Sequence, residues 1–122
     1  MAKILLIEDD NLLQALYKGK LTDEGFEVTA ASDGKTGLNL IKSQRFDLIL
    51  LDIILPGGLN GFDILEYLKK DQNLSQIPVI VMTNLESEDK VARDIGAADY
   101  FIKANVSLKE IVDRIKNVLK GK

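Results

Sequence analysis

The sequence predicts an α/β fold in which helices cover both faces of a parallel sheet. Two observations support this prediction. Short runs of apolar, mostly branched residues alternate with longer segments of helical spacing, and glycines fall at the boundaries between them. Runs that are apolar throughout are typical of strands buried on both faces, as in parallel sheets. The alternation predicts successive β–α units, and the length of 122 residues suits a single domain.

Five strands and five helices are predicted. The strands cover residues 4–7, 28–31, 48–51, 79–82 and 100–102. Four helices have apolar stripes of helical spacing, which are Leu12, Leu16 and Tyr17; Leu38 and Ile41; Phe62, Leu65 and Leu68; and Leu108, Ile111, Val112, Ile115, Val118 and Leu119. A more charged helix is expected over residues 87–95. Asp10, Asn60 and Ser107 are expected to cap helix N-termini.

The composition excludes several kinds of chemistry. The chain has no cysteine and no histidine, so acid–base or metal functions must use carboxylates, hydroxyls and lysines. A net charge of −3 argues against a broad nucleic-acid-binding face. No apolar run is long enough to span a membrane, and the N-terminal run is too short for a signal peptide. A cytoplasmic location without membrane attachment is therefore expected.

Polar side chains follow four of the predicted strands. They are Glu8, Asp9 and Asp10 after the first, Asp52 after the third, Thr83 after the fourth and Lys103 after the fifth. Ligands of open parallel sheets bind outside the carboxyl ends of the strands, so these groups are expected to converge at one edge. Among them, Asp10 is assigned to capping or solvation rather than to the site.

Asp52 is the most informative of these residues because it interrupts the apolar run of residues 48–55. A buried carboxylate without a partner is costly, so Asp52 requires a counter-ion, a metal or a proton. Several carboxylates together favour a hard divalent cation, and oxygen ligands favour Mg²⁺ or Ca²⁺ over zinc. Phosphoryl transfer to a carboxylate requires Mg²⁺ beside that carboxylate and room for the phosphate oxygens, and the predicted site offers both.

Four segments carry a family resemblance. They are ILLIEDD, DLILLDIILPGG, VIVMTN and GAADYFIK, in this order and at these intervals. With them the whole chain resembles the receiver domain of two-component response regulators, of the single-domain CheY type. The resemblance implies a three-layer, flavodoxin-like or CheY-like sheet with strand order 2-1-3-4-5. It also implies that residues 1–122 form one receiver domain without an output domain.

The resemblance implies a role for each acidic residue of the site. Asp52 resembles the phosphoacceptor, which takes its phosphoryl group from a histidine kinase or a histidine phosphotransfer protein. Asp9 resembles a direct Mg²⁺ ligand, and Glu8 the acid that holds the metal through water. Asp52 itself and the backbone carbonyl of Ile54 complete the implied metal site.

The resemblance also implies a switch. Lys103 is expected to pair with Asp52 and then with a phosphoryl oxygen, while Thr83 moves to hydrogen-bond the phosphoryl group. Tyr100 matches the aromatic residue that swings inward when Thr83 moves. The implied output is a protein-binding face formed by the fourth helix, fifth strand and fifth helix, with an unknown target or a second copy of the chain as partner.

Three departures from the family pattern are visible. Asn84 replaces a usually small residue after Thr83, and Ala104 replaces the usual cis proline after Lys103. The sequence leaves open whether the Lys103–Ala104 bond is cis or trans. The loop of residues 56–61 is one residue longer than usual.

Two other functions remain open from the sequence alone. One is a Mg²⁺-dependent phosphatase or phosphotransferase that turns over through Asp52. Such enzymes commonly have a second acid two residues after the nucleophile, where this chain has Ile54. The other is a pseudo-receiver that signals by binding without phosphorylation, although the full set of acidic, hydroxyl and lysine residues argues against it.

Overall fold

The computed structural model describes residues 1–121 and confirms the predicted architecture. The strands are β1 (Lys3–Ile7), β2 (Glu27–Ala31), β3 (Leu48–Asp52), β4 (Val79–Thr83) and β5 (Asp99–Ile102). The helices are α1 (Asn11–Asp23), α2 (Gly34–Ser43), α3 (Gly61–Lys70), α4 (Asp89–Ile95) and α5 (Leu108–Lys120). Short 3₁₀ turns, Glu86–Glu88 and Lys103–Asn105, precede α4 and α5. All strand pairs are parallel, in the order β2-β1-β3-β4-β5.

The two faces of the sheet carry separate apolar cores. Alternate strand residues such as Leu5 and Leu51 pack against α2, α3 and α4, whereas their neighbours Leu6 and Leu50 pack against α1 and α5. Every residue of β3 and β4 is buried, which explains why these strands are almost entirely apolar. A polar residue at the end of either strand is therefore placed at the edge of a dry core.

The order in which strands are added to the sheet reverses beside β1. From β1 the chain proceeds to β2 on one side, while β3, β4 and β5 follow on the other. In open parallel sheets with such a reversal, ligands bind where the loops leave the two strands on either side of it, at their carboxyl ends. This is the position at which the sequence predicted the site.

The predicted helix caps are confirmed. The Asp10 side chain accepts hydrogen bonds from the N–H groups of Leu12 and Leu13, both at 3.0 Å. Asn60 forms a reciprocal capping box at the start of α3, and the Ser107 hydroxyl accepts from the first turn of α5. Asp10 is thus occupied by its helix, as predicted.

The predicted apolar stripe of α1 was confirmed at Tyr17 and wrong at Leu12 and Leu16. Leu12 and Leu16 are exposed, at 71% and 47% of their surface, whereas Tyr17 and Leu21 are buried and Leu13 packs beside them. Both stripes have helical spacing in the sequence, so periodicity alone could not separate them. Packing against the β1 residues Ile4 and Leu6 decides which set of residues faces the sheet.

The start of α3 lies directly against the end of β3. The N–H of Gly61 donates to the carbonyl of Ile53 at 2.8 Å. A Cβ atom at position 61 would lie 2.2 Å from the Asp52 carbonyl oxygen and 2.7 Å from the Cα of Ile53. Only glycine permits this approach, and it fixes the backbone that carries Asp52.

Within residues 1–121, none of the helices combines the length and the apolar character needed to cross a lipid bilayer.

Candidate functional site

The buried polar residues of the described chain coincide with the predicted site. Glu8 is 0% exposed, Asp52 3% and Thr83 1%, and these are the only buried polar or charged residues among residues 1–85 and 87–121, whose burial the structure describes. Glu8 follows β1, while Asp52 and Thr83 are the last residues of β3 and β4. Parallel strands in register thus bring all three to the same edge of the sheet.

Lys103 is the counter-ion of the two buried carboxylates. Its Nζ lies 2.7 Å from Glu8 Oε1 and 2.8 Å from Asp52 Oδ2, and its side chain is only 10% exposed. Burial disfavours the ammonium, but the hydrogen bonds and charges of Asp52 and Glu8 outweigh this and raise the pKa of Lys103. Lys103 is therefore a firmly held cation at neutral pH.

The reach of Lys103 does not require a cis peptide. The Lys103–Ala104 bond is trans, and the lysine nevertheless contacts Asp52 directly. The question that the sequence left open is thus answered in favour of the trans bond.

Glu8 is the most deeply buried acid. Burial raises its pKa above the usual value, while the hydrogen bonds from Lys103 and from the Asp10 N–H lower it. The Asp10 N–H lies 3.0 Å from Glu8 Oε2. Both carboxylate oxygens of Glu8 are therefore engaged, and its orientation is fixed.

Gln14 is a site-supporting residue that sequence reasoning missed. Its side-chain amide donates to the carbonyls of Glu8 (2.8 Å) and Ala31 (3.3 Å) and to the hydroxyl of Ser32 (3.2 Å). It thereby ties α1 to the ends of β1 and β2. A glutamine on an amphipathic helix resembles any surface residue, so the sequence carried no signal for this role.

The carboxylates form a cluster that fits a divalent cation. Ligand oxygens of Glu8, Asp9 and Asp52 all lie within 4.8 Å of one another, and Asp9 is exposed at the mouth. The donors are all oxygens, which suits hard cations such as Mg²⁺. The N–H of Ile54 donates to Asp52 Oδ1 at 3.2 Å, so the backbone of Ile54 is held beside the cluster.

Thr83 and Tyr100 meet at the backbone of Leu85. The N–H of Leu85 donates to the Thr83 hydroxyl at 3.4 Å, and the Tyr100 hydroxyl donates to the Leu85 carbonyl. Tyr100 is buried, at 7% exposure, so its ring points inward. Burial raises the pKa of Tyr100, which keeps its hydroxyl a donor. A movement of Thr83 would reach Tyr100 through one residue.

The structure thus brings together most of the predicted residues. Glu8, Asp52 and Lys103 are in direct contact, and Asp9 lies in the same cluster. Thr83 ends the neighbouring strand.

Comparison with known proteins identifies the family. The model of the response regulator receiver domain matches residues 4–116. The transcriptional regulatory protein AfsQ1 of Streptomyces coelicolor is 36% identical over 98% of this chain and 52% of its own length. The response regulator ArlR of Staphylococcus saprophyticus is 37% identical over 98% of this chain and 53% of its own length. The receiver domain of the Francisella response regulator 1452 superimposes with a TM-score of 0.90 and 32% identity, covering 98% of both chains.

The chain belongs to the response regulator receiver domain family of two-component signalling. Receiver domains of this family interact with histidine kinases and with downstream effectors, and they are generally not classical enzymes. The chain spans about half the length of the curated relatives that it matches.

Proposed function

We propose that Asp52 is the phosphoacceptor of this receiver domain. The carrying observation is that Asp52 is buried yet held by Lys103, with Glu8 and Asp9 beside it. In the proposed step, an Asp52 carboxylate oxygen forms a bond to the phosphorus of a phosphohistidine. The P–N bond breaks, and the imidazole leaves and takes up a proton. The domain thus catalyses only the phosphorylation of its own Asp52 and, later, the hydrolysis of that aspartyl phosphate back to the carboxylate.

The metal in this proposal is Mg²⁺. Asp9 and Asp52 would hold it directly, Glu8 through water, and Ile54 through its backbone carbonyl. When bound, the cation neutralises the charge that builds up on the phosphoryl oxygens. The all-oxygen cluster and its exposed mouth at Asp9 support this assignment.

Lys103 has two successive partners in this scheme. Before transfer it neutralises Asp52, as the 2.8 Å contact indicates. After transfer its ammonium stays on the same side of the site and pairs with a phosphoryl oxygen. An ammonium suits this change because it is a compact charge on a flexible stem.

The switch runs from Thr83 to Tyr100 in this proposal. The Thr83 hydroxyl turns from the Leu85 N–H to the phosphoryl group, and the contact between Leu85 and Tyr100 transmits the change to the face formed by α4, β5 and α5. That face would bind a downstream protein or a second copy of the chain. We place the whole receiver unit within residues 1–122.

The test of the proposal is chemical phosphorylation. The protein is incubated with phosphoramidate and Mg²⁺ and its intact mass is measured. The wild type is expected to gain one phosphoryl group, and Asp52→Asn none. Asp113→Asn, a change of the same kind at an exposed position, should behave as wild type. Absence of an adduct on the wild type would favour the pseudo-receiver, and sustained phosphate release would favour the turnover enzyme.

The proposed coupling of Thr83 to Tyr100 can be tested separately from phosphorylation itself. Thr83→Ala should still accept a phosphoryl group but lose most of the response at Tyr100, because the hydroxyl that couples the two is missing. Fluorotyrosine NMR measures this, with the Tyr100 signal assigned from Tyr100→Phe. Tyr67 serves as the internal reference within each spectrum. An unchanged phosphorylation shift of Tyr100 in Thr83→Ala would contradict the proposed path.

A further inference from the structure

Two positions that depart from the family pattern are in contact. Asn84 follows Thr83, and Ala104 follows Lys103. The Asn84 side-chain oxygen accepts a hydrogen bond from the Ala104 N–H at 3.1 Å. The two departures are therefore one structural feature, which joins the residue after the hydroxyl of the site to the residue after its lysine.

This hydrogen bond continues the sheet beyond its last strand pair. The register of β4 and β5 ends with Thr83 opposite Ile102. Past that point the segments that follow β4 and β5 are no longer paired, and the 3₁₀ turn Lys103–Asn105 begins. The side chain of Asn84 bridges the gap where the backbone ladder stops.

The turn that carries Lys103 lacks a cap of its own. The N–H groups in the first turn of a helix have no partner within it, and the residue before this turn is Ile102, whose side chain cannot accept a hydrogen bond. Asn84 supplies the missing acceptor from the neighbouring loop. A proline at position 104 would have no N–H to donate, so an acceptor at position 84 has a use only when residue 104 is not proline.

We propose that Asn84 is a positioning residue for phosphoryl transfer. It holds the Lys103–Asn105 turn, and through that turn it keeps the Lys103 ammonium on Asp52 and Glu8. Asn84 here provides through a hydrogen bond the restraint on the lysine loop that a proline ring would otherwise provide. The inference rests on the proposed role of Asp52 and adds to it a residue that does not touch the phosphoryl group.

The test combines a structural and a kinetic measurement. In Asn84→Ala, hydrogen exchange of the Ala104 amide should accelerate, and Asn84→Asp, which keeps an oxygen acceptor, should restore protection. The rate constant of phosphorylation by phosphoramidate at saturating Mg²⁺ should fall about fivefold in Asn84→Ala, as expected for one lost hydrogen bond. The Mg²⁺ affinity and the thermal midpoint should change little, because neither the carboxylates nor the core is altered.

A double-variant cycle shows whether Asn84 acts through Lys103. In a Lys103→Ala background, Asn84→Ala should produce no further loss of rate, because the group that it positions is gone. Asn105→Ala, a matching change in the same turn, should leave the rate unchanged.

Two results would overturn the proposal. These are an unchanged rate in Asn84→Ala, or an equal loss of rate with and without Lys103. Failure of the wild type itself to form an adduct would instead reject the acceptor role of Asp52, and the positioning role with it. The Ala104 exchange data would then still show whether the hydrogen bond exists.

Discussion

Replacing Lys103 with alanine is expected to lower the free energy of unfolding by about 3 kcal/mol, because it leaves buried charge without a counter-ion. Glu8 is fully buried and Asp52 nearly so, and Lys103 contacts both within 2.8 Å. Without the ammonium, the two carboxylates repel each other in a site that water reaches poorly. Urea denaturation in metal-free buffer measures the loss.

The same variant should respond strongly to Mg²⁺. A cation that binds only the folded state stabilises it, and in Lys103→Ala that cation also relieves the repulsion between Glu8 and Asp52. The gain in unfolding free energy on adding Mg²⁺ should therefore be larger in the variant than in the wild type. Lys109→Ala is the matched control, since Lys109 forms an exposed pair with Asp113 that contributes less than about 1 kcal/mol. Equal losses of unfolding free energy in Lys103→Ala and Lys109→Ala would contradict the conclusion that Lys103 stabilises the fold by neutralising Glu8 and Asp52.

Replacing Gly61 with alanine is expected to lower the free energy of unfolding by about 3 kcal/mol and to slow phosphorylation of Asp52. The added methyl group would lie 2.2 Å from the Asp52 carbonyl oxygen, which is backbone and cannot rotate away. Overpacking of this kind forces the backbone to shift. Since the shift falls on the peptide of Asp52, the proposed acceptor, the phosphorylation rate should drop by roughly 100-fold. Denaturation and phosphoramidate kinetics measure the two effects.

Gly19 provides the control for this substitution. It lies within α1, and a Cβ atom at this position would meet no atom within 4 Å. Gly19→Ala should therefore stabilise the protein, by about 0.5–1 kcal/mol, because alanine favours the helix. Its phosphorylation rate should stay at the wild-type value. A Gly61→Ala protein as stable and reactive as Gly19→Ala would disprove the close approach of α3 to β3.

The strands and the site were visible in the sequence for one shared physical reason. Strands buried on both faces must be apolar throughout, so Asp52 stands out within its run. The carboxyl ends of parallel strands meet at one edge, so the sequence alone places Glu8, Thr83 and Lys103 beside Asp52.

Other features depend on tertiary geometry and left no trace in the pattern. Leu12 and Leu16 have the correct period but face solvent, because packing of α1 against the sheet decides which side of the helix is buried. The contacts of Gln14 and Asn84 join segments far apart in sequence, and a polar residue in a loop or on a helix reads as ordinary surface. The trans geometry at Ala104 likewise required the three-dimensional structure.

Because two buried carboxylates share one lysine, the site has a defined net negative charge. With all groups ionised, the three acids Glu8, Asp9 and Asp52 and the single ammonium of Lys103 leave two negative charges. One divalent cation cancels them completely, whereas a monovalent ion leaves the cluster negative and a trivalent ion makes it positive. Because uncompensated charge is costly away from water, Lys103 matches this pocket to ions of valence two.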